Sequence, residues 1–595
     1  MSERIGCRLI LLCLATALAT VARAEAQTFT PVAIPDMAAH VAFSTGASWV
    51  DFDGDGDLDL YVVTAFSSNN DNVLYRNDGG DVFVRVNGVP VVQDAAETVC
   101  SSWADVDNDG DLDAYVTALN GQGGRLYRRT VGTWTIDAGS GITGDTIEGV
   151  GCAWADYDRD GQLDLVISTI TGALGMTTGN RLFHNLGNGT FQEILSSPVS
   201  ATGSHHNPTW ADFDGDGDLD LFFASGPVGS TGLDHMYRNM LVETSVADFQ
   251  PITTGTLATD PRDSQVLSWA DYDNDGDLDC YAINYTSVPN QLYRNDGASG
   301  FTKILTGAIV TGVGASHGVA WGDFDNDGDL DVHVARDLGQ PDRYYRNEGN
   351  GTFTAVATAA TSPALSAYGV AAADYDRDGD LDLFIPTARS EGPSVLYRND
   401  LSGPNHWLEF DCAGQPSNRS AIGLRVRVRA IIAGAPRWQL REVASNTGYG
   451  GQNALVVHFG LGDAAVADTV LFAWPSGHVD VMTNVPANNL YSILEGHVAG
   501  VPAVGRTTPP ERIRVEPQPL VGPGRLSFYV PSAGRALVTV HDLQGRLVRT
   551  LFDAESPSGW RTAPIDRNGV ATSGVYWVRL STPSGIWARR LVALR

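Results

Sequence analysis

The sequence predicts an all-β chain in which a seven-bladed β-propeller is followed by two smaller β domains. Three observations predict it. The nonapeptide Asp-x-Asp-x-Asp-Gly-x-Leu-Asp occurs seven times, beginning at Asp51, Asp105, Asp156, Asp212, Asp271, Asp323 and Asp374, with copies 51 to 59 residues apart. Each copy runs into a short β-branched or aromatic stretch such as LDLYVV or LDLFFA, and then into an LYRN-like segment. Repeats of about 50 residues with four strands each form propeller blades, whose closure into a ring leaves no free sheet edge around it.

The elements of one repeat follow in order. The first strand carries Trp two residues before the loop in six copies, at Trp49, Trp103, Trp154, Trp210, Trp269 and Trp321, with Ala372 in the seventh. These rings are expected to pack between neighbouring sheets, with stacking on a sugar as the competing role. The third strand is the LYRN segment, from Leu74–Asn77 to Leu396–Asn399, and Asn/Asp/Gly turns after it signal a hairpin. The fourth strand opens on Phe83, Trp134, Phe191, Phe249, Phe301 or Phe353. The last repeat lacks this strand, and Phe29-Thr30-Pro31-Val32 matches Phe353-Thr354-Ala355-Val356, so the N-terminal strand is expected to complete the seventh sheet.

The loop itself reads as a cation site. Positions 1, 3, 5, 7 and 9 are Asp51, Asp53, Asp55, Asp57 and Asp59; Asp105, Asp107, Asp109, Asp111 and Asp113; Asp156, Asp158, Asp160, Gln162 and Asp164; and Asp212, Asp214, Asp216, Asp218 and Asp220. The last three sets are Asp271, Asp273, Asp275, Asp277 and Asp279; Asp323, Asp325, Asp327, Asp329 and Asp331; and Asp374, Asp376, Asp378, Asp380 and Asp382. Hard oxygen ligands in this number suit Ca²⁺, which takes six to eight at about 2.3 to 2.6 Å, and Gly at position 6 permits the turn that gathers them. Gln162 implies that position 7 ligates through its backbone carbonyl. Without a cation, like charges at ~4 Å repel by roughly 4 kcal/mol per pair at an effective dielectric near 20. About seven Ca²⁺, one per blade, are therefore expected to be part of folding. An EF-hand would need Glu at position 12, where Val62, Val116 and Ile167 stand, and helices at the flanks.

Charge agrees with this. Of the 70 acidic residues 34 lie in the seven loops, leaving 36 against 39 Lys and Arg, so the net −31 belongs to the loops. No basic stripe with interleaved aromatics appears, which argues against nucleic acid as a partner.

Loop, Trp and LYRN elements together resemble the FG-GAP or VCBS calcium-binding propeller repeats of integrin alpha subunits and bacterial surface proteins, over residues 29 to about 400. The resemblance implies that the calcium loops lie on one face and that ligands meet the opposite one. That face would hold Glu97, Glu148, His205, His206, Asp263, Gln265, His317 and Tyr368, with loops 69–72 and 336–343. Each His taken alone is expected to be a solvated loop residue, and an acid and histidine cluster could serve acid/base chemistry if geometry gathered it.

Residues 1–26, with Arg4, Arg8 and the apolar run 9–22, read as a secretory signal peptide, and no later stretch is long enough to span a membrane. The propeller is assigned to 27–400. Within 401–500, NHWLEF, SNRSAIGLRVRV, HFGLGDA and WPSG resemble the ASPIC/UnbV domain, with a departure at Gly450-Gly451-Gln452-Asn453. A Pro/Gly/Thr linker, 501–510, precedes a β-sandwich at 511–595. Its PQPL, HDLQGRLVRTL and SGVYWVRL segments resemble FlgD-like or type IX secretion sorting domains, implying export or surface attachment. Cys100, Cys152, Cys280 and Cys412 are expected to be small core residues; offsets of −5 and −4 from their loops place Cys100 and Cys152 on opposite pleat faces, which argues against pairing.

These readings favour a non-catalytic calcium-binding adhesion module for a glycan or protein ligand, secreted or displayed on a bacterial surface. No HExxH pair or P-loop is present. The alternatives are a polysaccharide lyase or hydrolase built from scattered channel residues, and a structural surface spacer.

Overall fold

The computed structural model describes residues 29–593 apart from 40–42, 66–70, 94–95, 131, 145–146, 171–178, 201–202, 204, 226–230, 286–287, 389–391, 498–512, 517–523, 531–533, 542–546, 558, 566–573 and 583–584. The signal peptide, the linker and loop residues 69–70 lie outside these, as do PQPL and part of HDLQGRLVRTL.

Seven four-stranded antiparallel sheets make the propeller. Their first strands are Ser44–Val50, Thr98–Ala104, Gly151–Ala155, His205–Ala211, Ser264–Ala270, Ser316–Gly322 and Ala371–Ala373. Each touches the next, and the last touches the first, so the ring is closed around a channel lined by these strands. Closure uses the N-terminal strand as expected: Phe29 lies opposite Asn399 in the seventh sheet, as Phe353 lies opposite Asn347 in the sixth.

Blade-to-blade packing explains why the first strands are apolar or small on both faces. Trp49 stacks on Tyr375 of the preceding blade at 5.8 Å and 4°. Trp103 meets Tyr61 edge-on at 5.0 Å, and Trp210 stacks on Tyr157 at 6.3 Å and 5°. Trp49, Trp103 and Trp154 are at most 1% exposed, which removes sugar stacking as their role.

Stacking also corrects the argument about the cysteines. Cys100 and Cys152 sit on neighbouring first strands with their sulfurs 3.6 Å apart, both fully buried and both free thiols. Between stacked sheets, two residues meet when one points forward and the other back, so opposite pleat faces bring them together rather than apart. Cys280 is buried in the core and Cys412 is half-buried, as small core residues.

The second domain packs a three-stranded sheet (Val457–Gly462, His406–Ala413, Asn489–Leu494) with a four-stranded one (Ala435–Glu442, Arg425–Ile432, Val466–Ala473, Val479–Pro486). Leu424, Val426 and Val428 point into its core while Arg425, Arg427 and Arg429 point outward, as their alternation predicts.

The C-terminal unit, Arg506–Arg595, is compact by itself. It holds a three-stranded sheet (Ile513–Glu516, Gly524–Val530, Gly559–Ile565) and a four-stranded sheet (Leu547–Ser556, Gly534–His541, Gly574–Thr582, Gly585–Ala593). Leu526, Phe528, Val538, Val578 and Leu580 are fully buried in its core.

Candidate metal loops and the opposite face

Each acidic loop connects the first and second strands of its blade. Gly at position 6 takes a left-handed φ between 88° and 99° in all seven copies, a conformation that Cβ-bearing residues resist. Its N–H donates to the position 1 carboxylate, from Gly56 to Asp51 at 2.9 Å and likewise in five further loops. The chain thus curls around its own acids. Ligand atoms of positions 1, 3 and 9 lie within 4.8 Å of one another in Asp51/Asp53/Asp59, Asp105/Asp107/Asp113, Asp156/Asp158/Asp164 and Asp212/Asp214/Asp220.

Crowding shows in the titration of these groups. Burial first, then the charge of neighbouring loop carboxylates, pushes Asp51 up to about 7, Asp156 to about 8, Asp327 to about 9 and Asp59 to about 10. One carboxylate oxygen on each of Asp156, Asp212, Asp220 and Asp271 is buried with no hydrogen-bond partner among the described residues. An oxygen-only donor set with unused lone pairs fits a hard divalent cation.

Three position 7 side chains are engaged in ion pairs. Asp57 pairs with Arg377, Asp111 with Arg129, and Asp329 with Arg437. Position 9 has a second task that the sequence did not suggest: Asp59 accepts the N–H of Asn77 at 2.8 Å and of Phe52 at 3.0 Å, tying the loop to the third strand.

The LYRN asparagine is also more than a hairpin marker. Asn239 donates from its side-chain amide to Leu219 of its own loop and to Tyr157 of the preceding blade's loop. Asn77, Asn185, Asn295 and Asn347 repeat the pattern. Blade 2 carries Arg129 at this place, which reaches Asp53's carbonyl at 2.8 Å instead. Blade 3 departs elsewhere: His184 replaces the usual Arg, with Nδ1 3.1 Å from Asp164 and 3.3 Å from Asp158, and its hydrogen bond to Asp164 raises it to about 9.

The second domain lies over the acidic loops. Arg425 pairs with Asp212 at 2.6 Å and Arg437 with Asp329 at 2.5 Å. Ser420 accepts the N–H of Asp105, and His458 Nε2 lies 3.0 Å from the carbonyl of Gly379. Arg425 of the outward row and Arg437 of the neighbouring strand thus answer the charge of the loops, while Arg429 pairs with Asp468.

From this cover, residues 445–453 run through the channel and touch all seven first strands. Ser445 bonds Ser102 and Trp154, Asn446 the carbonyl of Cys152, and Thr447 and Gly448 accept from Ser268 and Asn207. Gln452 pairs in strand fashion with Ala47 and Trp49, and Asn453 accepts from Ala372. Glycine is required along this path: a Cβ on Gly451 would meet the Ala47 carbonyl at 2.0 Å, and one on Gly448 the Val319 carbonyl at 2.8 Å. The Gly-Gly-Gln-Asn departure noted in the sequence is part of this axle.

On the opposite face the residues suggested by position do not form one cluster. Glu97 and Glu148 are half-buried and bond the nearby turn at Asn120 and Gly121. Asp263 and Gln265 are fully buried. His205, His206 and His317 are at most 3% exposed, contrary to the solvated loop residues expected. Register shifts at 44–46, 98–101, 205–208, 264–266 and 316–319 re-aim the starts of five first strands at the channel mouth. There His317 stacks on Tyr368 at 4.1 Å and meets Tyr449, near the tip of the axle, at 5.1 Å. Arg336 and Asp342 of the 336–343 loop are buried close to the fold rather than extended.

A closed ring of seven blades, each with an acidic loop, covered and threaded by a second β domain, defines the class. The chain is an FG-GAP-repeat protein with an ASPIC and UnbV domain: the FG-GAP-like repeat model matches residues 51–116, 105–167, 172–223, 271–334 and 323–385, and the ASPIC and UnbV model matches 414–499. Its relatives include cartilage acidic protein 1 of Mus musculus, 27% identical over 53% of this chain and 41% of that protein. The Homo sapiens protein of the same name is 26% identical over 57% of this chain and 46% of its own length. The chain thus matches less than half the length of these relatives. Among solved structures, a protein from Lactobacillus plantarum covers 60% of this chain and 88% of its own at 10% identity, with a TM-score of 0.27. No helix among the described residues is long and apolar enough to cross a membrane.

Proposed function

We propose that this protein is an extracellular, calcium-loaded and non-catalytic binding module that presents the propeller face opposite the acidic loops to a glycan or protein ligand. The observation that carries the reading is the axle, residues 445–453, which bonds or packs against every blade. With the loop face covered and the channel occupied by the chain's own backbone, the groups left for a ligand are on the opposite face, around the half-buried Glu97, Glu148 and Tyr368. The same occupancy weighs against an enzyme built from channel residues. Calcium is supported by the oxygen-only loops, their convergent carboxylates and their raised pKa values. The C-terminal unit is proposed to direct export or surface attachment.

The test is the full chain on an array of polysaccharides, glycans and matrix proteins, in calcium and after chelation, with bound glycans inspected for cleavage. Calcium-dependent capture without cleavage, lost in a Glu97→Gln, Glu148→Gln, Tyr368→Ala variant that melts normally, is the expected result. Cleavage would overturn the non-catalytic reading, and no capture of any class would leave a spacer.

A further inference from the structure

Blade 3 breaks the pattern of the other six in two places at once. Its loop holds Gln162 where the others hold a fifth Asp, and its third strand holds His184 where the others hold arginines such as Arg76 and Arg238. An arginine beside the loop offers only donors, whereas an imidazole nitrogen can ligate a metal. Asp158, Asp160 and His184 each offer a ligand atom, all within 4.8 Å of one another. Independently, Asp156 is 4% exposed and its Oδ1 has no hydrogen-bond partner among the described residues. The Gln162 side chain takes no part, because it accepts from Asn108 of blade 2.

We propose that blade 3 is a mixed nitrogen–oxygen site that selects a divalent first-row transition metal, of the Co²⁺ or Zn²⁺ class, over calcium. Ca²⁺ is held by oxygen ligands, while imidazole suits the transition metals. One imidazole with two or three carboxylates supplies the three or four protein ligands such an ion needs, leaving the rest to water. The inference rests on the reading of the acidic loops as cation sites and assigns one of them a different cation. The competing arrangement is that His184 substitutes for arginine as a cation beside Asp158 and Asp164.

Co²⁺ is the probe. The full chain is saturated with calcium, exposed to equimolar Co²⁺, dialysed against calcium, and read by metal analysis and by the visible Co²⁺ absorption. One Co²⁺ retained per chain is expected, with affinity lower by about tenfold or more in His184→Arg. Calcium content and melting in calcium should be unchanged in that variant. Failure to retain Co²⁺, or equal retention in His184→Arg, overturns the proposal and leaves the histidine as an arginine substitute. Failure of the calcium reading shows separately, as wild-type melting that ignores calcium, and does not alter the His184 dependence of Co²⁺ retention.

Discussion

Gln452 and Trp103, 349 residues apart, exchange a pair of hydrogen bonds: the Trp103 N–H donates to Gln452 Oε1 at 2.9 Å, and Gln452 Nε2 donates to the Trp103 carbonyl at 3.1 Å. A side-chain amide here stands in for a neighbouring strand. Both groups belong to one buried residue on the inner edge of blade 2, where no fifth strand exists to pair with it. The axle thus satisfies an edge that ring closure leaves inside the channel.

Replacing Gln452 by Ala strands both backbone groups in a dry site. Each buried unsatisfied group costs about 1–3 kcal/mol, so denaturant unfolding of Gln452→Ala should show a loss of roughly 2–6 kcal/mol. A loss no larger than that of an exposed Gln→Ala control would mean that water reaches the channel.

Asn239 makes the same kind of statement between blades. Its amide holds carbonyls at positions 157 and 219 at 2.7 and 3.3 Å, and its N–H reaches Asp220. Asn239→Ala removes the two bonds to carbonyls and the one its Oδ1 accepts from the Leu241 N–H, and is expected to cost about 2–4 kcal/mol. Asn239→Asp should be no milder, since it adds a carboxylate beside two carbonyls and an acidic loop. A harmless Asp variant would show that these bonds do not couple the blades.

Calcium removal should loosen the whole ring. A site held at 1,000 times its Kd adds about 4 kcal/mol, so chelation is expected to lower the melting midpoint markedly and calcium to restore it. Asp53→Ala, which removes one position 3 ligand without touching the hydrogen bonds of position 9, should lose about one of the seven bound ions by metal analysis. A chain that melts identically in calcium and in chelator would refute the metal reading of all seven loops.

The fold was legible where its grammar is local. Asp-x-Asp-x-Asp-Gly recurs because a tight turn must collect carboxylates from alternate residues, and Phe29-Thr30-Pro31-Val32 betrays ring closure because it copies the fourth strand of other blades. The axle was not legible. The side chains of Ser445 and Asn446 bond Trp154 and Cys152, 291 and 294 positions away, at backbone atoms of those strands that leave no residue signature. The burial of His205 and His317 was hidden for a related reason: a register shift changes which way a strand residue points without changing its sequence pattern.

His205 makes the last prediction, a dependence on pH. Its ring is fully buried, 4.4 Å from that of His235, and neither nitrogen has a hydrogen-bond partner among the described residues. Burial, then the neighbouring His235 and His206, pushes it down to about 3. The unfolded chain, with an ordinary imidazole near pH ~6.5, therefore binds a proton that the folded one refuses. The stability this lends is complete above that value and is lost as pH falls, at about 1.4 kcal/mol per unit, until the folded value is reached. At pH 5 the loss is roughly 2 kcal/mol. His205→Phe keeps an aromatic ring against Phe223 and cannot titrate. Denaturant unfolding of both proteins at pH 7.5 and pH 5 should therefore show the variant gaining about 2 kcal/mol on the wild type at the lower pH; parallel losses would place a solvated or partnered imidazole at the channel mouth.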